Sequence, residues 1–128
     1  MTLQTTGKID KSWGYEIIFA NNDKYCGKLL VFPQAGNKTN LILHKDKRKS
    51  WFVNAGKFKI TFIDVATGQM QQAEVEQGRT LDFAELSPHQ IEALENNSII
   101  YEVSTADHIE DVINLSPDVS QTPPATPQ

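Results

Sequence analysis

The sequence predicts an all-β domain built as a sandwich, jelly roll or small barrel. Three observations lead there. Apolar residues alternate with a period near two along most of the chain. About nine or ten short segments follow one another at regular spacing, with turn residues between them. No segment holds a period of about 3.6 over ten residues, as an amphipathic helix would.

The elements follow in order. Tyr15 to Phe19 is a first strand, closed by Asn21-Asn22-Asp23-Lys24, residues that favour turns through local side-chain hydrogen bonds. Tyr25 to Phe32 is a second, stopped by Pro33 and the loop Gln34-Ala35-Gly36-Asn37. Leu41 to His44 and Trp51 to Val53 are the next two, the latter ending at Ala55-Gly56. Phe58, Ile60 and Phe62 alternate with Lys57, Lys59 and Thr61 in the cleanest amphipathic strand of the chain. Ala66-Thr67-Gly68-Gln69 turns it back into Met70 to Glu76. A strand with Leu81 and Phe83 on one face, then His89 to Leu94 and Ser98 to Ser104, complete the set. Residues 1–10 read as a polar N-terminal arm and 11–115 as the folded domain. Residues 116–128 hold four of the six prolines and few groups to bury, which reads as a disordered tail.

Composition narrows the function. The 128 residues are about one domain's worth. Twelve Lys and Arg against 16 Asp and Glu leave a net charge of −4, which argues against nucleic acid as a general partner. No apolar run approaches the ~18 residues of a membrane span, so no membrane association is expected. The polar start lacks an export signal. The single cysteine, Cys26, cannot form an internal disulfide or a cysteine zinc cluster, which fits a reducing, cytoplasmic setting.

Two of the three histidines sit at strand ends between apolar residues. Side chains at i and i+2 share a strand face, so His44 shares one with Ile42 and, if the strand continues, Asp46. His44, Asp46 and a distant His89 would make a set of two imidazoles and one carboxylate, suited to iron(II) or similar ions. The alternative is a pair of packed, hydrogen-bonded core histidines. Lys45, Lys47, Arg48, Lys49, Lys57 and Lys59 carry half of the positive charge. They are either a solvated strand edge or an anion site for a group such as a sugar phosphate. Trp51 is either a core aromatic or part of a ligand pocket.

A family resemblance follows from longer stretches. Lys11-Ser12-Trp13-Gly14-Tyr15-Glu16-Ile17-Ile18, the run Asn22 to Lys28, Leu41 to Gly56, Gly78 through Leu94, and Glu102-Val103-Ser104-Thr105 resemble the cupin domain of type II mannose-6-phosphate isomerases. The resemblance covers about residues 11–115. It implies a double-stranded β-helix, the cupin jelly-roll barrel, with a metal site inside one end. The family's first motif presents Gln, His, a second polar ligand and Glu, and these positions fall on Ile42, His44, Asp46 and Lys49; the histidine of the second motif falls on His89. A glutamine has become aliphatic and the acidic ligand has become lysine.

An ammonium ~4 Å from a divalent ion is repelled by about 8 kcal/mol at an effective dielectric near 20. Lys49 is therefore expected to exclude the ion, swing away or lose its charge. The metal ligands on offer are His44, Asp46 and His89. A weakly held divalent ion (Zn, Fe, Mn or Ni) and no ion at all stand as equal expectations. The resemblance gives two functions. One is a small stand-alone cupin that binds a sugar or sugar phosphate in the barrel through Trp51, Lys47 and Arg48, with a degraded metal site and doubtful catalysis. The other is an active sugar-phosphate isomerase, in which Lys49 supplies fixed positive charge and His44 or His89 the base. A 2-oxoglutarate oxygenase is disfavoured, because no Arg or Lys follows His89 to hold the cosubstrate carboxylate. A homodimer is the expected assembly.

Overall fold

A computed structural model of the chain describes residues 1–3, 6–106 and 111–116; the expected proline-rich tail, from residue 117 on, lies outside them. Eleven strands form: β1 (Gly7–Lys11), β2 (Gly14–Asn21), β3 (Cys26–Phe32), β4 (Ile42–His44), β5 (Lys49–Ala55), β6 (Lys57–Asp64), β7 (Gln69–Glu76), β8 (Thr80–Phe83), β9 (His89–Ala93), β10 (Ser98–Ser104) and β11 (Val112–Asn114). They build two antiparallel sheets, one ordered β1-β2-β3-β10-β5-β8 and the other β11-β4-β9-β6-β7. This is the expected all-β jelly-roll barrel. Among the described residues no helix is long and apolar enough to cross a membrane.

Nine strands match the sequence expectation closely. The other two are β1 and β11. Residues 7–11 do not hang free as an arm; they pair with β2 from Gly7 opposite Ile18 to Lys11 opposite Gly14. Their side chains are mostly exposed, so no apolar alternation marks them and main-chain hydrogen bonds hold them in place. β11 is three residues long and pairs with β4 from Val112 opposite His44 to Asn114 opposite Ile42.

Period-two alternation turns one face of each sheet inward. Along each central strand that inward face changes character. It runs Lys28, Leu30, Phe32 on β3; Lys49, Trp51, Val53 on β5; His89, Ile91, Ala93 on β9; and Glu102, Ile100, Ser98 on β10, all of them buried. The barrel therefore has an apolar end and a charged end. At the apolar end Trp13 stacks on Phe32 with ring centres 4.4 Å apart, and Phe32 meets Phe58 edge-on at 5.1 Å.

Gly56 closes the β5–β6 turn at φ +80°, and a Cβ there would overlap the Ser98 side chain. Ser98 is fully buried, and its hydroxyl donates to the Glu95 carbonyl at 2.8 Å. Gly36, at φ +94°, has open space around it. Gly56→Ala is therefore expected to cost about 2–3 kcal/mol, from strain plus overlap, and Gly36→Ala only about 1 kcal/mol of backbone strain. Urea unfolding of the two variants measures the difference.

Candidate functional site

The charged end is a chamber assembled by strand register. Trp51 on β5 lies opposite Glu102 on β10, which in turn lies opposite Lys28 on β3. Leu30, two residues along β3, lies opposite Glu16 on β2. β4 delivers His44 and, through the register Ile42 opposite His89, brings β9 beside it. The loop from Lys45 to Arg48 then carries the chain across to β5 and Lys49.

Glu102 is the hub. One carboxylate oxygen accepts the Lys47 ammonium at 3.0 Å; the other accepts the Trp51 indole N–H at 2.8 Å and lies 3.9 Å from Lys49 Nζ. A second cluster adjoins it, with Glu16 3.4 Å from Lys28 Nζ and 3.8 Å from Lys11 Nζ. Lys49 Nζ also lies 3.4 Å from His44 Nε2, 4.7 Å from the centre of the Trp51 ring and 5.8 Å from that of Phe83. On its other side, His44 Nδ1 is 3.2 Å from an Asp111 oxygen but outside hydrogen-bond alignment. Asp111 also binds the loop, accepting the backbone N–H groups of Asp46 at 2.6 Å and Lys47 at 3.1 Å.

His89 is oriented differently. Its Nδ1 is 2.7 Å from the Ser87 carbonyl, so Nδ1 carries the proton and donates. Nε2 is then a buried lone pair with no partner among the described residues. The ring stacks on Phe83 at 4.3 Å and meets Trp51 edge-on at 5.6 Å. The chamber that Lys49, Trp51, His89 and Glu102 line encloses a cavity of about 10 Å³, on the order of one water.

Protonation follows from this packing. Burial pulls the Lys49 amine down to about 7, with Lys47 and Lys28 adding to the shift and Glu102 opposing it. Burial, then Lys49 and Lys47, hold His44 at about 3. His89 is held well below the usual imidazole range by burial and by Lys49. For Glu102, burial pushes upward, but Lys47, Lys49 and Lys28 outweigh it and keep the carboxyl well below its ordinary value. At neutral pH both imidazoles are neutral, Glu102 is an anion and Lys49 is near its midpoint.

The structure brings His44, Lys49, His89, Trp51 and Lys47 to the chamber. It does not bring Asp46, which is exposed and contributes its backbone N–H to Asp111. After His44 the strand ends and the chain bends, so the i+2 alternation that would turn Asp46 inward is broken. Arg48 is also exposed, at 2.9 Å from Asp82. The expected basic cluster is not one patch. Lys47 and Lys49 point inward, while Lys57 and Lys59 pair with Glu74 and Glu92 on the other sheet. Sequence reasoning missed Glu16, Lys28 and Glu102, whose signal was a charge on the apolar parity of a strand, and Asp111, which lies past the last expected strand.

The residues present do not fit the divalent ion that the resemblance implies. Among the described residues no three His, Cys, Asp or Glu side chains group to hold a metal. The two imidazole centres are 6.4 Å apart, and His44 Nε2, the nitrogen that such an ion would need, faces the Lys49 amine.

Two stability predictions follow. Glu102→Ala strands Lys47, Lys49 and the Trp51 N–H, and is expected to cost about 3–5 kcal/mol; Lys49→Met removes a desolvated amine and should be neutral or stabilising by about 1–4 kcal/mol. The pH dependence has one sign throughout. Between about 7 and its ordinary 10.5 the Lys49 amine is protonated in the unfolded chain and not in the folded one, so stability rises with pH across that window. His44 acts likewise from about 3 to 6.5. The contribution of Glu102 is present above its ordinary value of 4.5 and is lost as pH falls below it. Melting temperature should climb from acid to alkaline pH, and Lys49→Met should flatten the climb above pH 7.

No family model and no curated protein matches the sequence. Solved structures do. Oxalate decarboxylase from Bacillus subtilis superposes with a TM-score of 0.76 at 18% identity, over 92% of this chain and 32% of its own. The formate complex of Lactobacillus farciminis oxalate decarboxylase gives 0.74 at 18%, over 96% and 40%. The capsular polysaccharide assembling protein CapF from Staphylococcus aureus gives 0.73 at 16%, over 89% and 33%. The chain thus spans about a third of the length of these proteins, and at such identity the likeness is one of fold. They are cupin-fold proteins, and the fold of this chain is the cupin barrel.

Proposed function

We propose that this chain is a binding cupin that takes a sugar phosphate outside the chamber, at a depression beside the first turn of β5. Support comes from space and chemistry. A cavity of about 10 Å³ has no room for a hexose, so the expected ligand position inside the barrel gives way to one at the surface. A depression of about 290 Å³ is lined by Lys24, Arg48, Lys49, Ser50, Asp82, Val103, Ser104 and Thr105, with Asp82 accepting from both Arg48 and the Ser50 hydroxyl at 2.9 Å. Lys24 and Arg48 supply positive charge for a phosphate, and the hydroxyls suit a sugar. Arg48 spends one nitrogen on Asp82 and keeps further N–H donors for a ligand. The single observation that carries the reading is this pairing of two exposed cations with hydroxyl groups in a space the size of a sugar phosphate.

Titration of the protein with mannose 6-phosphate, mannose and inorganic phosphate, followed by nuclear magnetic resonance, tests it. Saturable shifts at Ser50, Thr105 and Arg48 are expected for the sugar phosphate. Arg48→Ala should weaken binding about 10- to 100-fold, the worth of a charge-assisted hydrogen bond. No saturable shift with any of the three ligands sinks the proposal.

One observation favours the isomerase reading instead: a lysine pulled to about 7 beside a neutral imidazole, groups of the kind that move protons near neutral pH. A coupled assay on mannose 6-phosphate, with and without added zinc, separates the readings. The binding reading expects no turnover under either condition. Turnover abolished by Lys49→Met would put the isomerase first. A homodimer would cover the exposed outer residues Phe52, Tyr101 and Val103, and light scattering on the purified protein gives its mass.

A further inference from the structure

We infer that the chamber is an ammonium cage and that the Lys49 amino group occupies it in place of a metal ion. The inference is independent of what binds at the surface depression.

The geometry is that of a cage for a nitrogen cation. Lys49 Nζ has an aromatic face at 4.7 Å from Trp51 and a second at 5.8 Å from Phe83, both within the ~6 Å over which a ring quadrupole attracts a cation. A carboxylate oxygen of Glu102 lies 3.9 Å away, and His44 Nε2 lies at 3.4 Å. A metal asks for something different: three or four N, O or S atoms at about 2.0–2.3 Å from one point. The cage walls are themselves fixed. The Trp51 N–H is tied to Glu102 at 2.8 Å, Glu102 to Lys47 at 3.0 Å, and Phe83 is stacked on His89 at 4.3 Å. The cage is thus built by the barrel and is not formed by Lys49 folding down onto a surface.

Charge counting agrees. Among the described residues Lys11, Lys28 and Lys47 face Glu16, Glu102 and Asp111, three cations to three carboxylates, all with side chains nearly out of solvent. A divalent ion added to that balance would have no further anion among the described residues. The amine of Lys49 adds at most one charge, over two aromatic faces that tolerate it. The cage therefore fits a primary alkyl amine in shape and in polar partners; burial opposes its charge, and the chain's own tether delivers it.

Two variants at pH 6.5 test this. Lys49→Ala deletes the tether from Cγ outward and vacates the cage, which should then take propylammonium from solution. Its melting temperature should rise saturably with propylammonium and not with propanol, while wild-type protein shows no such rise. Lys49→Glu replaces the caged cation by a carboxylate beside the two imidazoles. It should take up about one equivalent of Zn²⁺ or Mn²⁺ by elemental analysis after gel filtration, where the wild type, purified without a metal-affinity tag, retains none. One equivalent of either ion on the wild type overturns the inference, as does a folded Lys49→Ala that responds to propylammonium no more than the wild type does. If Lys49→Glu does not fold, the alkylammonium comparison decides alone.

Discussion

The carboxylate of Glu102 is the constraint on which the charged end of the barrel depends. It sits on β10, the strand between β3 and β5 in the six-stranded sheet, and reaches into the chamber from its centre. Its two oxygens hold Lys47, Trp51 and, at longer range, Lys49. Each of those residues fixes something else: Lys47 the loop after β4, Trp51 the ring against His89, Lys49 the contact to His44. A buried carboxylate is tolerated only because it is surrounded by donors. The lysines in turn are tolerated only because the carboxylate is there. Neither half of the arrangement is stable alone, so its members are best understood as one unit.

That unit explains why the imidazoles are inert as acids at neutral pH. Each is buried and close to positive charge, so protonation is opposed twice. Lysine is the group left near its midpoint. Burial is the largest cause of that shift, and the Glu102 oxygen at 3.9 Å from Lys49 opposes it without cancelling it.

The barrel was legible in the sequence because alternation is a local property. A reader needs only i and i+2 to place Phe58, Ile60 and Phe62 on one face, and the same rule puts His44 on the face of Ile42. The chamber's connections were not legible, because they depend on register between distant strands. Glu102 meets Trp51 across 51 residues and Lys47 across 55. Parity with Ser98 and Ile100 turns Glu102 inward, but nothing local says which lysines it will meet there. Asp46 was misplaced for a related reason: alternation holds within a strand and fails one residue past its end. Asp111 supplies the carboxylate that Asp46 does not, from the far side of the fold, and short β11 holds the segment just after it against β4. The resemblance singled out position 49 because a lysine stands where an acidic ligand was expected. The packing shows what that lysine touches.

The division of the interior into two ends bears on how such a departure can persist. At the apolar end, Trp13, Phe32 and Phe58 pack ring against ring, and burial there scales with area and not with the identity of a cofactor. Folding free energy of that kind does not need an ion at the other end. The charged end is then free to change its composition, provided that each buried charge keeps a counter-charge. Lysine at position 49 meets that condition because a carboxylate, Glu102, faces it at 3.9 Å. A lone substitution to lysine facing only His44 and His89 would leave an unpaired buried cation, and its desolvation cost would fall on the whole domain. Shell and chamber therefore answer to different physical constraints. The shell asks for shape and alternation, which sequences sharing 18% of their residues still supply. The chamber asks for charge balance, which can be met by an ion or by an amine.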